Sequence, residues 1–419
     1  MQDLLFLAHR IPYPPNKGDK IRAWHLLRHL AQRYRVHLAF LVDDPDDEQF
    51  VPALAEICAS VSWRPLVPLR AKLRSLLGLL TGAPLTLGYF RDRGLQQAID
   101  RVIREHPPEQ FFVFSSAMAP YVERHRAARY VLDLVDVDSV KWRDYAATAS
   151  GPARLLYRRE ARALLALERR TAAQADEVLL VSEAEADLFR ALAPETAPRV
   201  RHICNGVDTD YFDPALTFAD PFGDAPALVF TGAMDYRPNV EAVVWFAGHV
   251  MPRLRLLAQA PEFWIVGAHP SPAVLALTDA DIHVTGRVAD VRPYLRHAAA
   301  VVAPLRTARG IQNKVLEAMA MAAAVVVTPQ AREGLAACGN DVLIETDSAE
   351  GFASALQSIL TVGAGDIGSR ARACVRHHYG WEASFAELDT LMKSEHRAPR
   401  GAFPDPTAPC LDPSPIAAE

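Results

Sequence analysis

Two α/β domains, each a doubly wound parallel sheet, are predicted from three observations. Short apolar runs alternate with helical patterns along most of the chain, and such alternation selects a parallel sheet covered by helices on both faces. A chain of 419 residues exceeds what one ordinary core encloses. Glycine-bearing loops follow strands in both halves, at Gly18 and at Gly232, a geometry that brings backbone N–H groups to a phosphate.

In the first half, Leu4 to Ala8 reads as a buried strand. Pro12, Pro14 and Pro15 forbid helix in the loop that follows. Asp19 is placed to cap a helix from Lys20 onward. Val36–Val42, Val61–Leu66, Phe111–Phe114, Tyr130–Leu132, Val178–Val181 and Val200–Ile203 read as further strands, and Phe50–Ala59 as a helix. Open parallel sheets bind ligands at the carboxyl ends of their strands. The run after Leu132, which holds Asp133, Asp136, Asp138, Ser139, Lys141 and Trp142, is therefore a candidate site. Leu69–Leu80 and Arg154–Arg170 mix leucines with arginines and lysine. Each fits either an ordinary surface helix or a helix lying on an anionic membrane. The acid- and proline-rich stretch Asp220–Pro226 marks a domain boundary.

The second half has strands at Leu228–Thr231, Phe263–Val266, His283–Thr285, Ala299–Ala303 and Ala324–Val327. Asn239 is expected to cap the helix after Gly232. Arg237 and Arg287 lie in loops after strands, where a guanidinium suits a phosphate. The stretch Arg306–Thr328 organises this half. Gly310 precedes a helix expected to be capped by Asn313, and Val315, Leu316, Met319 and Ala320 recur at core spacing. Glu317 stands one turn from Asn313, so both can reach one ligand. Phe352–Leu360 and Trp381–Met392 read as helices, and the Pro-, Asp- and Ala-rich residues 396–419 as a disordered tail.

Net charge is -5, which argues against nucleic acid as a partner. The five cysteines are scattered without a C-x-x-C pair, so neither a disulfide framework nor a zinc site is expected. No signal peptide and no apolar run of spanning length is read. The expected location is cytoplasmic, with the inner face of the cytoplasmic membrane as a peripheral site.

The motif G-I-Q-N-K-V-L-E-A-M-A-M followed by V-V-V-T-P resembles the nucleotide-sugar site of retaining GT-B glycosyltransferases, the large family-four group. In that family a loop glycine and two glutamates hold the donor. The second glutamate matches Glu317, which the resemblance assigns to the donor ribose, while the first one's position holds Arg309. The form around Arg309, with D-x-x-D-x-D-S-x-K-W from Asp133, is most similar to sugar transferases of PEP-CTERM exopolysaccharide systems. There Gln312 and Asn313 offer alternative sugar contacts. N-G-V-D-x-x-x-F from Asn205 is also common at the family's domain boundary.

The resemblance implies two Rossmann-like domains, over 1–208 and 227–378, joined by a linker at 209–226. A helix at 379–395 is expected to cross back to the first domain. It implies donor contacts from Gly18, Gly232, Arg237, Arg287, Val288, Arg309, Gly310, Ile311, Gln312, Asn313 and Glu317, with Arg237, Arg287 and Glu317 catalytic. Lys17, Asp19, Arg22, Asp136, Asp138, Lys141 and Trp142 are implied on the acceptor side. Relatives carry a functional histidine where this chain has S-S-A-M-A-P-Y, and none is assigned. The implied reaction moves a sugar from a nucleotide-diphosphate sugar to a glycan or polyprenyl-linked acceptor, with no metal and no resident cofactor. A nucleotide-sugar epimerase, or a non-catalytic nucleotide-sugar-binding partner in polysaccharide assembly, are the alternatives.

Overall fold

In the computed structural model the described residues are 1–15, 18–125, 128–308, 311–335 and 337–393. The assignments to Lys17, Arg309, Gly310 and the tail 396–419 lie outside them. Strands β1 (Asp3–Ala8), β2 (Arg35–Val42), β3 (Ser60–Pro65), β4 (Gln110–Phe114), β5 (Arg129–Val135), β6 (Glu177–Leu180) and β7 (Val200–His202) form one sheet in the order β3-β2-β1-β4-β5-β6-β7. Strands β8 (Ala227–Thr231), β9 (Glu262–Val266), β10 (Ile282–Gly286), β11 (Ala300–Ala303), β12 (Val325–Val327) and β13 (Ile344–Glu345) form the second, ordered β10-β9-β8-β11-β12-β13. Every pairing among these strands is parallel. The fold is therefore two Rossmann-like sheets, the GT-B arrangement.

The apolar runs build these sheets because a parallel strand covered on both faces has no polar side. In β1, Leu4, Phe6 and Ala8 enter one core and Leu5 and Leu7 the other, as the twofold strand period requires. The strand order reverses between β1 and β4 and again between β8 and β11. Loops leaving these strands are where such sheets bind ligands.

The helices that position the site are α1 (Gly18–Ala31), α2 (Pro68–Thr81), α3 (Leu85–Phe90), α4 (Asp138–Thr148), α5 (Gly151–Gln174), α6 (Arg237–His249), α7 (Asn313–Ala320) and α8 (Trp381–Lys393). Four local expectations are corrected. Asn313 is the first residue of α7 rather than its cap, which is Gln312 without a side-chain cap bond. Asn239 lies inside the first turn of α6, behind Tyr236 at the cap, and bonds back to the Ala233 carbonyl. Phe50–Ala59 is helical only over Val51–Ala55, preceded by a 3-10 turn at Pro45–Phe50, because Pro45 and Pro52 each restart the backbone. Cys338 and Cys374 form a disulfide, which their wide spacing does not announce.

Helix α8 belongs by packing to the first domain. Trp381, Leu388 and Met392 enter its core, and the Trp381 ring stacks on His25 at 4.6 Å. Asp389 accepts from His29 Nε2 at 2.8 Å, and Ser384 Oγ donates to the Cys204 carbonyl at 2.8 Å. Trp381→Ala should lower the unfolding free energy by about 3–5 kcal/mol, the usual cost of deleting a buried large side chain. Urea unfolding of the full chain measures it; a loss below about 1 kcal/mol would mean that α8 is not part of the first domain's core.

Candidate active site

The carboxyl ends of both sheets meet across a cleft. A side chain built at Gly18, the start of α1, would come 3.7 Å from Asn313 Nδ2 at the start of α7. Asn205 Nδ2 donates to Asn313 Oδ1 at 3.4 Å. Arg287 Nη2 donates to Asp44 Oδ2 at 3.2 Å, joining the loop after β10 to the loop after β2.

Gly232 follows β8 with φ +151, a conformation that favours glycine. A Cβ there would stand 2.9 Å from Lys314 Nζ and 2.7 Å from Asn239 Nδ2. Lys314 bonds to Asn239 Oδ1 and stands 4.3 Å over the Phe230 ring. Glu317 follows three positions later on the same face of α7. Burial pushes the Lys314 amine down to about 7, and Glu317 only partly restores it. Burial likewise pushes the Glu317 carboxyl up to about 7 against the opposing pull of Lys314. Desolvation outweighs the mutual attraction of the pair. A lysine thus stands against the glycine turn, with a carboxyl that titrates near neutrality one turn along the same helix. That set suits an anionic group carrying a hydroxylated ring.

Lys314 was not read from the sequence, although its spacing from Glu317 was the available signal. The cation expected beside Gly232 was Arg237. That side chain is exposed at the start of α6, paired with Glu241 Oε1 at 2.6 Å and near Tyr145 and Tyr157 of the first domain. Arg287 reaches the cleft, between Asp44 and His269 Nε2 at 3.3 Å. Val288 packs against the second core, and Ile311 is buried in it.

Arg22 is corrected from acceptor contact to internal brace. It is fully buried, and its guanidinium donates to Asp133 Oδ2 at 2.8 Å, the Ile203 carbonyl at 2.6 Å and Asn205 Oδ1 at 3.1 Å. With no exposed surface it offers nothing to a ligand. Beyond Asp133 the strand end is distorted: Val135 sits at φ +69, costly for a β-branched residue, and the β5–β6 register shifts there. The distortion carries Asp136 and Asp138 to the cleft, where Lys141 Nζ bonds to them at 2.8 and 3.2 Å. Burial lowers the Lys141 pKa, but both carboxylates outweigh it and hold the amine charged. Tyr236 of the second domain lies close enough to feel that charge. Trp142 stacks edge-on with Tyr157 at 5.3 Å. Asp19 stands apart from this group; burial raises its pKa, but His9 and Arg10 hold it well below the usual carboxylate range.

Residues 225–362 match the family described as glycosyl transferases group 1. The second domain is a group 1 glycosyl transferase domain, on a chain with the GT-B fold. The match covers the second domain, where Gly232, Lys314 and Glu317 lie. No curated protein matches the chain. Among solved structures, a sucrose-phosphate synthase from Thermosynechococcus elongatus superposes with a TM-score of 0.70 at 18% identity, covering 94% of this chain and 98% of that one. Anabaena HepE in complex with UDP-glucose gives 0.64 at 15%, over 94% and 99%. A glycosyltransferase from Rickettsia africae gives 0.61 at 14%, over 94% and 98%. These likenesses are of fold.

As pH rises through about 7, Lys314 and Glu317 each lose a proton and the turn passes from positive to negative. Affinity for a nucleotide sugar, whose diphosphate does not titrate there, should fall ~tenfold between about pH 6 and 8. Calorimetric titration should show a steeper slope in the wild type than in Lys314→Met, where Glu317 alone still titrates. Affinity that rises with pH would contradict the assignment.

Proposed function

We propose that this glycosyltransferase moves a sugar, with retention at the anomeric carbon, from a nucleotide-diphosphate sugar to a hydroxyl of a growing lipid-linked exopolysaccharide or other cell-surface glycan. The bond from the anomeric carbon to the diphosphate oxygen breaks, a bond to the acceptor oxygen forms, and the acceptor hydroxyl's proton passes to the departing diphosphate. The observation that carries the donor half is the Gly232 turn with Lys314 and Glu317 on one helical face. Glu317 holds the ribose. Lys314, Arg287 and the amides at the start of α7 offset the charge that builds on the departing diphosphate. The HepE structures hold UDP and UDP-glucose, which supports a nucleotide sugar as the donor here.

The acceptor half rests on the first domain's side of the cleft. Asp136, Asp138, Lys141 and Trp142 line it with hydrogen-bonding groups and an aromatic face, the chemistry that receives a sugar. The exopolysaccharide setting follows the sequence resemblance around Asp133 and Gly310. Arg309 in place of a glutamate favours one second reading, a non-catalytic nucleotide-sugar-binding partner.

A thermal-shift screen against UDP-, GDP-, ADP- and dTDP-sugars identifies the donor, because binding raises the melting temperature by mass action. Acceptor-dependent release of that nucleotide is then expected. Glu317→Ala and Arg287→Ala should each lower the release rate ~100-fold or more. Full activity in Glu317→Ala would remove the site assignment. Binding without acceptor-dependent release would favour the non-catalytic reading.

A further inference from the structure

Helix α2 is packed with its faces reversed. Its buried side is Ala71, Ser75 and Gly78, small residues that let α3 approach so closely that a Cβ at Gly88 would meet Ser75 Cα at 2.8 Å. Its leucines point outward, with Leu69 at 70%, Leu73 at 60%, Leu77 at 59% and Leu80 at 85% exposure. A soluble helix ordinarily buries such a stripe. The arrangement is firmly held rather than incidental. Arg74 donates to the carbonyls of Gly88 and Tyr89 at 2.7 and 2.9 Å. Arg159 of α5 donates to the Gly78 carbonyl and to the Ala83 carbonyl at 2.8 Å. Glu160 accepts from the amides of Leu85 and Thr86 at 2.8 and 2.9 Å. One turn before Arg159, Leu155 is exposed as well.

The surroundings are cationic. Residues 66–91 carry Arg70, Lys72, Arg74 and Arg91 and no carboxylate, in a chain whose net charge is -5. At the root of α2 lies a cavity of about 350 Å³ whose lining includes Arg64, Arg70, Arg74, Asp92, Leu41 and Val67. Leu41 and Arg64 sit at the carboxyl ends of β2 and β3, the edge of the sheet that faces the cleft. Among the described residues no helix is long and apolar enough to cross a membrane.

We propose that the leucine face of α2, with the exposed first turn of α5, docks on an anionic lipid bilayer, and that the arginine-lined cavity takes an acidic lipid head group. Leucines in the acyl boundary and cations at head-group depth are the two attractions that hold an interfacial helix. The cavity brings a membrane-borne phosphate to the cleft-facing edge of the first sheet. This deepens the lipid-linked acceptor reading, but it is tested without donor or acceptor, so the two can fail separately.

Full-length protein is floated at low salt with vesicles of phosphatidylcholine alone and of phosphatidylcholine with phosphatidylglycerol in equal parts. Binding to the anionic vesicles should be at least ~tenfold tighter. Leu73→Glu with Leu77→Glu should weaken it at least ~tenfold while the melting temperature and solution mass stay unchanged, since both side chains are exposed. Arg64→Gln with Arg70→Gln should remove most of the preference for anionic vesicles. No flotation with either vesicle, or equal flotation of the leucine variant, overturns the proposal. A leucine variant that changes solution mass but not flotation also overturns it, and makes the face an interface between copies of the chain.

Discussion

The Arg22 guanidinium, fully buried at the carboxyl end of the first sheet, anchors what lines the cleft. It joins the end of β5 through Asp133, the end of β7 through Ile203, and the interdomain segment through Asn205. Asn205 in turn bonds to Asn313, the first residue of α7. One line of side chains therefore runs from the strained end of β5 to the helix that presents Lys314 and Glu317. Burial penalises the Asp133 carboxylate and raises its pKa, and Arg22 offsets part of that penalty. Breaking such a pair by removing one partner costs about 3–5 kcal/mol because the other charge is left buried. Its value here is geometric: it fixes the loop after β5 and the start of α7 in one frame.

On α7 the same accounting gives a different outcome. Lys314 and Glu317 are a turn apart, yet burial rather than attraction dominates both. An amine that gives up its proton near neutrality is poised to regain full charge when an anion arrives. A surface guanidinium such as Arg237, already satisfied by Glu241, has much less to gain. This contrast is why the cation in the glycine turn, rather than the arginine at the mouth of the same loop, is assigned to the diphosphate.

Much of the fold was legible because parallel strands buried on both faces are continuous apolar runs. Leu4–Ala8, Val36–Val42 and Val178–Val181 read directly as strands, whereas the two-residue β13 left no pattern to read. Glycines after strands located the loops at the cleft. Long-range pairing was not legible: Asp133 lies 111 positions from Arg22, and a cation at a loop–helix junction looks alike whether it meets a ligand or a buried carboxylate. The Cys338–Cys374 pair, 36 positions apart, is hidden for the same reason. For α2 the leucine and arginine mixture was plain, but which face packs depends on α3. The small residues Ala71, Ser75 and Gly78 at helical spacing were the overlooked sign.

The most direct measurement is a crystal structure of the full chain with its nucleotide sugar bound. The account places the diphosphate within hydrogen-bond distance of Lys314 Nζ, against the Gly232 turn, with the ribose on Glu317. A diphosphate held by Arg237, with Lys314 still bonded to Asn239, would contradict it.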